Sequence, residues 1–382
     1  MISRSTEVGP FPAKVPALDV RSVGAGGGSI ADLSDLTNSL RVGPRSAGAQ
    51  PGPACYGRGG VEPTVSDANV VLGYLPQKLL GGSMDLDVEA ARTAVGRIAS
   101  SLGLSIEAAA RGILHIANEK MLGALRVITV QRGLDPRDFG IVAFGGAGPL
   151  HANAMAEVLG CFPVIVPPSP GVFSALGFLQ SEFKNEFVRT FIGSIDSIDP
   201  QDIASTFTTL RQQAEDWLAR ENIAPERRRV RPSLDLRYEQ QGYEVTVDIT
   251  SPTVGPDEIA DAIARFHDLH ERLYGVRFQV PVELVALRIT AVGETPEVIG
   301  SFGGSSGGAS ADDAIISRES AYFDDDWREI PHYERDRLAV GHAVVGPAVI
   351  HQYDSTTLVL PKHRAEIDEH KNIVIWPISE GN

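Results

Sequence analysis

One stretch of this 382-residue chain limits the folds open to it: Val23 to Leu72, VGAGGGSIADLSDLTNSLRVGPRSAGAQPGPACYGRGGVEPTVSDANVVL. It is dense in Gly, Pro, Ala and Ser and has almost no hydrophobic periodicity, so no long helix or strand is expected in it. Structureless segments of this length are uncommon inside compact domains and are usually binding loops or disorder. Val23, Ile30, Leu40, Val42, Tyr56, Val65, Val70 and Val71 are spaced between the glycines like anchors, which favours an ordered backbone. Two readings stay open. The GAGGGS cluster can bring backbone N–H groups close to a ligand. The same glycines can also serve tight turns between short strands.

The flanking sequence is ordinary globular protein. Residues 1–17 read as a loose tail, and Leu18 to Val23 as a short strand feeding the glycines. Val88, Ala91, Val95, Ile98 and Leu102 lie at helical spacing and Gly103 supplies a stop. Ser105 is a predicted N-cap for a second helix that runs toward Gly133. Phe139–Phe144 reads as a strand, GGAGP as a turn, Leu150–Leu159 as a helix with Pro149 at its first position, and Phe162–Val166 as another strand. This is a βαβ unit with a parallel sheet, and ligands of such sheets sit at the strand C-termini, where Gly145 and Gly146 fall. A strand-to-helix turn without a ligand is the competing reading. VFSALGFLQSEF follows as a short helix or an onward strand. After Ile198 come a helix over Pro200–Glu221, a strand or hairpin over Ser233–Ile249, a helix over Asp257–Tyr274 and a strand over Glu283–Val292, together an α+β module. The Gly/Ser run in 301–312 reads as a linker. Short strands around 321–323, 343–350, 356–360 and 373–376 suggest a small β module over 313–382.

Net charge is −15, so an extended phosphate backbone is excluded as partner, and the arginines 227–229 and 231 read as a salt-bridged turn. Two cysteines are too few for a disulfide framework and agree with a reducing compartment. No membrane span and no signal peptide are evident, which predicts a soluble, cytoplasmic protein.

The strings GAGGGSIA (Gly24–Ala31), RVGPRSAGAQPGPACYGRGG (Arg41–Gly60) and PTVSDAN (Pro63–Asn69) together resemble the hydantoinase A and 5-oxoprolinase family. FGGAGPLHA (Phe144–Ala152), PGVFSALG (Pro170–Gly177) and GPAVIHQYDSTTLVLP (Gly346–Pro361) resemble it too. That resemblance implies an α/β fold: a partial actin-like ATPase core over 18–197, then the α+β module over 198–300 and the C-terminal β module. It implies ATP with Mg2+ or Mn2+, and a small cyclic amide or ketone substrate. The activity implied is ATP-dependent cyclic amide hydrolysis, of the hydantoinase or oxoprolinase kind, or a related carboxylation. Family members carry a DxGGT phosphate loop on an N-terminal lobe and a second acidic GGT loop before GAGGGS. Neither string occurs here, so the expectation is a C-terminal portion or split subunit, inactive alone. It would be completed by a phosphate-loop lobe on another chain and a hydantoinase B-like subunit in a hetero-oligomer. A non-catalytic scaffold subunit is the alternative.

By the same resemblance Gly24, Gly26, Gly27, Gly28 and Ser29, with Gly145, Gly146 and Gly148, line the nucleotide side. Asp67 is the candidate catalytic and metal-binding carboxylate, since an acid among glycines can hold a metal or orient water; a turn-capping Asp is the competing reading. His267 and His270 lie three apart on a helix beside Glu271, but the order departs from HExxH and no third ligand is evident, so a covered helix face is favoured over a metal site. His151 follows the GGAGP turn, where a local hydrogen bond competes with a functional role. Cys55 reads as a small buried filler. Arg237, Tyr238, Gln241, Glu283 and Arg288 fall on family-like strings; Gln240 stands where the family tends to have glycine, which puts that turn in question.

Overall fold

The computed structural model describes residues 2–3, 6–8, 11–13, 17–18, 20–251, 254–295 and 310–378. Residues 1, 4–5, 9–10 and 14–16 of the expected tail and residues 301–309 of the expected linker lie outside the described residues; within the tail Thr6–Val8 pairs with Phe11–Ala13 and Ile2–Ser3 with Ala17–Leu18. Contacts divide the chain into two units, one of residues 1–175 with 301–382 and one of residues 176–300.

In the first unit the glycine-rich stretch is more regular than its composition suggests. Ser29–Leu33 (β1) and Leu40–Ser46 (β2) form an antiparallel hairpin with a bulge, and Val65–Val71 (α1) is a helix. The helix escapes periodicity analysis because all seven of its residues are buried, polar Ser66, Asp67 and Asn69 included, so no apolar and polar faces alternate along it. The strand expected over Leu18–Val23 ends at Leu18. Val88–Leu102 (α2) ends on left-handed Gly103 and Ile106–Ile128 (α3) starts on the Ser105 side chain, both as expected, and the Asp87 side chain caps the start of α2. The latter stops short of Gly133, which instead closes a single 3-10 turn over Val130–Arg132. Val65, Val71, Leu72, Val95 and Ile113 pack with Ala68, Ala91, Ala109 and Ala117 in one core. The alanines let three helices approach closely, and each large apolar side chain fully buried there contributes about 1.5–3 kcal/mol.

The βαβ unit is present: Ile141–Val142 (β3), Gly148–Leu159 (α4) and Val164–Val166 (β4), with β3 and β4 parallel through Val164 opposite Ile141. Gly160 ends α4 in the left-handed conformation.

In the second unit Phe183–Ser194 (β5), Pro200–Arg220 (α5), Arg228–Tyr238 (β6), Val245–Asp248 (β7), Pro256–Tyr274 (α6) and Val282–Gly293 (β8) form an antiparallel sheet in the order β5-β8-β6-β7 with two helices. Phe207, Leu218, Leu234, Phe266, Leu284 and Leu287 fill its core. The 12-residue strand β5 has no clean alternation and is legible only from its pairing with β8.

The chain then returns to the first unit. Ile315–Phe323 (β9), Asp326–Glu334 (β10), Ala343–Val345 (β11), Ala348–Gln352 (β12), Ser355–Val359 (β13), His363–Ile367 (β14) and Ile373–Pro377 (β15) follow. Two sheets result. One has the order β9-β10-β12-β13, the other β11-β14-β15-β4-β3. The last strand pairs antiparallel with β4 through Ile375 opposite Val164, so the C-terminal strands share a sheet with the βαβ unit. Among the described residues no helix is long and apolar enough to cross a membrane.

Candidate functional site

The GAGGGS turn is closed by its own serine: Gly26 N–H donates to Ser29 Oγ and Ser29 N–H to Gly26 O, both at 3.0 Å. Ser66 N–H, at the start of α1, donates to Gly27 O at 2.8 Å, and Ala47 N–H donates to Gly28 O at 2.8 Å. A side chain at Gly27 would meet Ser66 Oγ at 2.8 Å. Packing by neighbouring protein thus accounts for part of the glycine density.

Asp67 lies beside this turn with no exposure to solvent. Its Oδ1 accepts from Cys55 N–H at 2.7 Å; its Oδ2 accepts from Thr64 N–H and Thr64 Oγ–H, each at 2.8 Å, and from Ala54 N–H at 3.3 Å. With the Thr64 side chain accepting from Asp67 N–H, this is a capping box at the start of α1. A carboxylate with four donors and no open face has nothing left to offer a metal, and no grouping of three or more His, Cys, Asp or Glu suited to a metal occurs among the described residues. The geometry therefore matches the capping reading of Asp67 and not the metal-binding one. The Cys55 thiol sits against the same carboxylate; burial and then the Asp67 charge push its pKa up, so it stays protonated and unreactive.

The second glycine turn is built differently. Gly145, at φ 82°, donates its N–H to Pro170 O, and the start of α4 behind it has no side-chain cap. The turn between β12 and β13 folds over it: Ser355 Oγ–H donates to Gly145 O at 3.2 Å, and Asp354 Oδ2 accepts from Gly171 N–H at 2.9 Å. Asp354 Oδ1 is buried and has no partner. Buried Arg335 holds this turn from behind through Gln352 Oε1 at 2.8 Å and Val166 O at 3.0 Å, and Gln352 Nε2–H donates to Pro168 O. Gly145, Gly146, Gly171, Asp354 and Ser355 thus come together across more than 200 residues of sequence. Asp354 and Ser355 were not separable by sequence reasoning from the string GPAVIHQYDSTTLVLP that carries them.

Other candidates resolve into structural roles. His151 is 3% exposed, and its Nδ1–H donates to Asn118 Oδ1 at 2.8 Å; burial pushes its pKa down to about 4, so the ring is neutral. It lines a cavity of about 570 Å3 with His115, Asn118, Arg111 and Asp325. His267 Nδ1 pairs with the Tyr238 hydroxyl at 2.7 Å, and His270 with Val276 O at 2.8 Å and Gln241 Nε2 at 3.0 Å. Those contacts use both ring nitrogens of His270 and Nδ1 of His267. Arg237 pairs with Glu283 at 2.7 Å, and Arg288 with Asp235 at 2.7 Å and with Glu186. Of the arginine cluster, Arg229 pairs with Glu294 at 3.1 Å and Arg228 with Glu215 at 3.5 Å. Gln240 sits at φ 68°, so the turn keeps the conformation a glycine would adopt.

Two family models match, described as Hydantoinase/oxoprolinase over residues 1–187 and Hydantoinase/oxoprolinase C-terminal domain over residues 197–375. An uncharacterized protein of Methanocaldococcus jannaschii is 38% identical, over 94% of this chain and 51% of its own length. Caprolactamase subunit alpha of Pseudomonas jessenii is 34% identical, over 95% of this chain and 53% of its own length. A solved structure of the ATP-dependent caprolactamase from that organism aligns with a TM-score of 0.75, covering 98% of this chain and 55% of that one. Nucleotide-free acetone carboxylase aligns with a TM-score of 0.85 at 24% identity, covering 99% of this chain and 55% of that one, a likeness of fold alone. The fold is that of the actin-like class these enzymes share. The chain spans about half the length of the curated relatives it matches.

Proposed function

The chain belongs to the hydantoinase/oxoprolinase family, and from that premise we propose that it forms the nucleoside-binding side of an ATP-dependent enzyme acting on a small cyclic amide or a ketone. One observation carries this reading: α4 starts behind the GGAGP turn without a side-chain cap, and the loop folded onto that turn holds Asp354, whose buried Oδ1 has no partner. A buried carboxylate oxygen without a donor is costly and fits a ligand that brings one, such as a ribose hydroxyl or an exocyclic amine. Uncapped N–H groups at a helix start suit polar nucleotide atoms. Gly145 and Gly146, with nothing closer than 3.7 Å to an added Cβ at either, leave room for such a ligand. ATP, when bound, would supply a phosphoryl group to activate an amide or enol oxygen.

The described residues do not fit a divalent ion, since Asp67 is saturated. Mg2+ or Mn2+ and the phosphates would then belong to a phosphate-loop lobe beyond this sequence, and a hydantoinase B-like subunit would complete the assembly. Caprolactamase subunit alpha, at 34% identity, supports hydrolysis of a cyclic amide, and acetophenone carboxylase gamma subunit of Aromatoleum aromaticum, at 32%, supports carboxylation.

Calorimetric titration with ATP and Mg2+, alone and with the half of caprolactamase subunit alpha that this chain does not match, tests the reading. Binding with both halves present is expected, and Asp354→Ala and Gly146→Ala should each weaken it about tenfold without lowering the unfolding midpoint by more than a few degrees. Binding indifferent to both variants would move the nucleotide elsewhere, and no binding in either condition would favour a scaffold subunit.

A further inference from the structure

The cavity of about 570 Å3 that His151 lines lies against α4, the helix that starts behind the GGAGP turn, and has the volume of a small-molecule site. Leu72, Leu114, Leu150, Leu358 and Leu360 make its walls mostly apolar. Formal charge among the described residues lining it is confined to Arg111 and Asp325, which are exposed and pair with each other. Asn69, Asn118 and His151, also in the wall, have hydrogen-bonding capacity to spare. Asn69, 2% exposed, donates its Nδ2–H to Val65 O at 2.9 Å, which leaves its Oδ1 as an acceptor. Asn118 Oδ1 accepts from His151 Nδ1–H, which leaves the Asn118 –NH2 as a donor. His151 Nε2 is then the unprotonated ring nitrogen, an acceptor, and it is buried without a partner.

A neutral donor and neutral acceptors in an apolar wall suit a neutral molecule that carries a carbonyl and an N–H on an apolar frame. A cyclic amide is such a molecule. A ketone has the carbonyl alone and leaves Asn69 Oδ1 and His151 Nε2 without a donor. A carboxylate brings a charge that Arg111, already paired, does not meet. We infer that this cavity binds the small cyclic amide, with Asn118 donating to its carbonyl, Asn69 and His151 as the acceptors for its N–H, and the leucines covering its methylenes. The inference rests on the proposed reading for the identity of the ligand and narrows it, since the cavity selects an amide over a ketone. Helix α4 then serves both ligands, its start at the nucleotide turn and Leu150, His151 and Ala154 at the amide.

The test titrates ε-caprolactam into the full chain and follows the leucine methyls and histidine rings by NMR. Saturable shifts are expected at the five leucines of the wall and at His151, and none at Leu234 and Leu287 in the core of the second unit. N-methyl-ε-caprolactam, which lacks the N–H, and cyclohexanone should each bind at least about tenfold more weakly. Ala154→Leu, at a partly buried position of α4, puts a larger side chain into the wall and should weaken caprolactam at least about tenfold. Ala108→Leu does the same from α3, so that if one variant loses its fold, seen in the thermal midpoint, the other decides. No saturable shift, shifts spread beyond the cavity, equal affinity for the N-methyl amide or the ketone, tighter binding of 5-oxoproline through its carboxylate, or unchanged affinity in a folded variant overturns the inference. ATP binding without lactam binding removes the cavity site and leaves the nucleotide reading, whereas lactam binding without ATP binding keeps the site and removes that reading.

Discussion

Replacing Asp67 by alanine separates a structural carboxylate from a catalytic one. The substitution leaves Ala54 N–H, Cys55 N–H, Thr64 N–H and the Thr64 hydroxyl without their shared acceptor in a region closed to solvent. Each unsatisfied buried donor costs about 1–3 kcal/mol. The hydroxyl can rotate toward another acceptor and a water can occupy the vacated volume, so about two donors remain orphaned. Loss of the capping box adds about 1 kcal/mol at α1. The expected loss is about 3–7 kcal/mol, concentrated in the first unit. Urea unfolding followed through amide exchange of α1 and of β6 measures it, since β6 lies in the other unit and serves as an internal control. Asp67→Asn should be almost as damaging, because its amide –NH2 would face donors. A variant as stable as the parent within about 0.5 kcal/mol, with turnover lost in the reconstituted assembly, would refute the capping argument and restore Asp67 as a metal or catalytic group.

Acid should destabilise the first unit through its buried histidines. Burial lowers the pKa of His151 from 6.5 to about 4, so between those values the unfolded chain takes up a proton that the folded chain refuses. Stability therefore falls as pH drops from about 6.5 toward 4, by about 1.4 kcal/mol per pH unit for that group. His332 and His351, hydrogen-bonded to each other at 2.7 Å, are lowered for the same reason and steepen the loss. The urea midpoint between pH 7 and 4 reads this, and His151→Gln should flatten the slope; a slope unchanged by His151→Gln would contradict it. In the second unit Gln240→Gly relieves a left-handed glutamine and should raise stability by about 0.5–1 kcal/mol, measured at β6 amides. A decrease would mean that the Gln240 side chain holds the turn.

Legibility in the sequence followed local chemistry. Ser105 and Gly103 announce helix ends through caps that depend only on adjacent backbone, and the structure uses both. The βαβ unit was legible because Pro149 and the glycine turn punctuate two short apolar runs. Helix α1 was hidden by complete burial, and the hairpin β1–β2 by Gly43 and Pro44, which sit at its bulge. The pairing of β15 with β4 joins residues more than 200 positions apart, and no local pattern encodes it. The site divides the same way. The glycines of GGAGP were visible, while Asp354 acquires meaning only when the turn after β12 is folded onto Gly171.

The two glycine turns look alike in composition and differ in what surrounds them. At Gly27 a methyl group would lie 2.8 Å from Ser66 Oγ, so glycine is required there by protein packing and needs no ligand to explain it. At Gly146 the nearest atom to such a methyl is Asp354 O at 3.7 Å, and no left-handed backbone demands glycine. Neither packing nor conformation accounts for glycine at that position, which agrees with the ligand-binding turn proposed above. The density of glycine in residues 23–72 therefore reports mainly on how tightly β1, β2 and α1 are assembled. The sparser turn at Gly145–Gly148 differs in having an uncapped helix start behind it and, in the loop folded onto it, the buried and partnerless Oδ1 of Asp354.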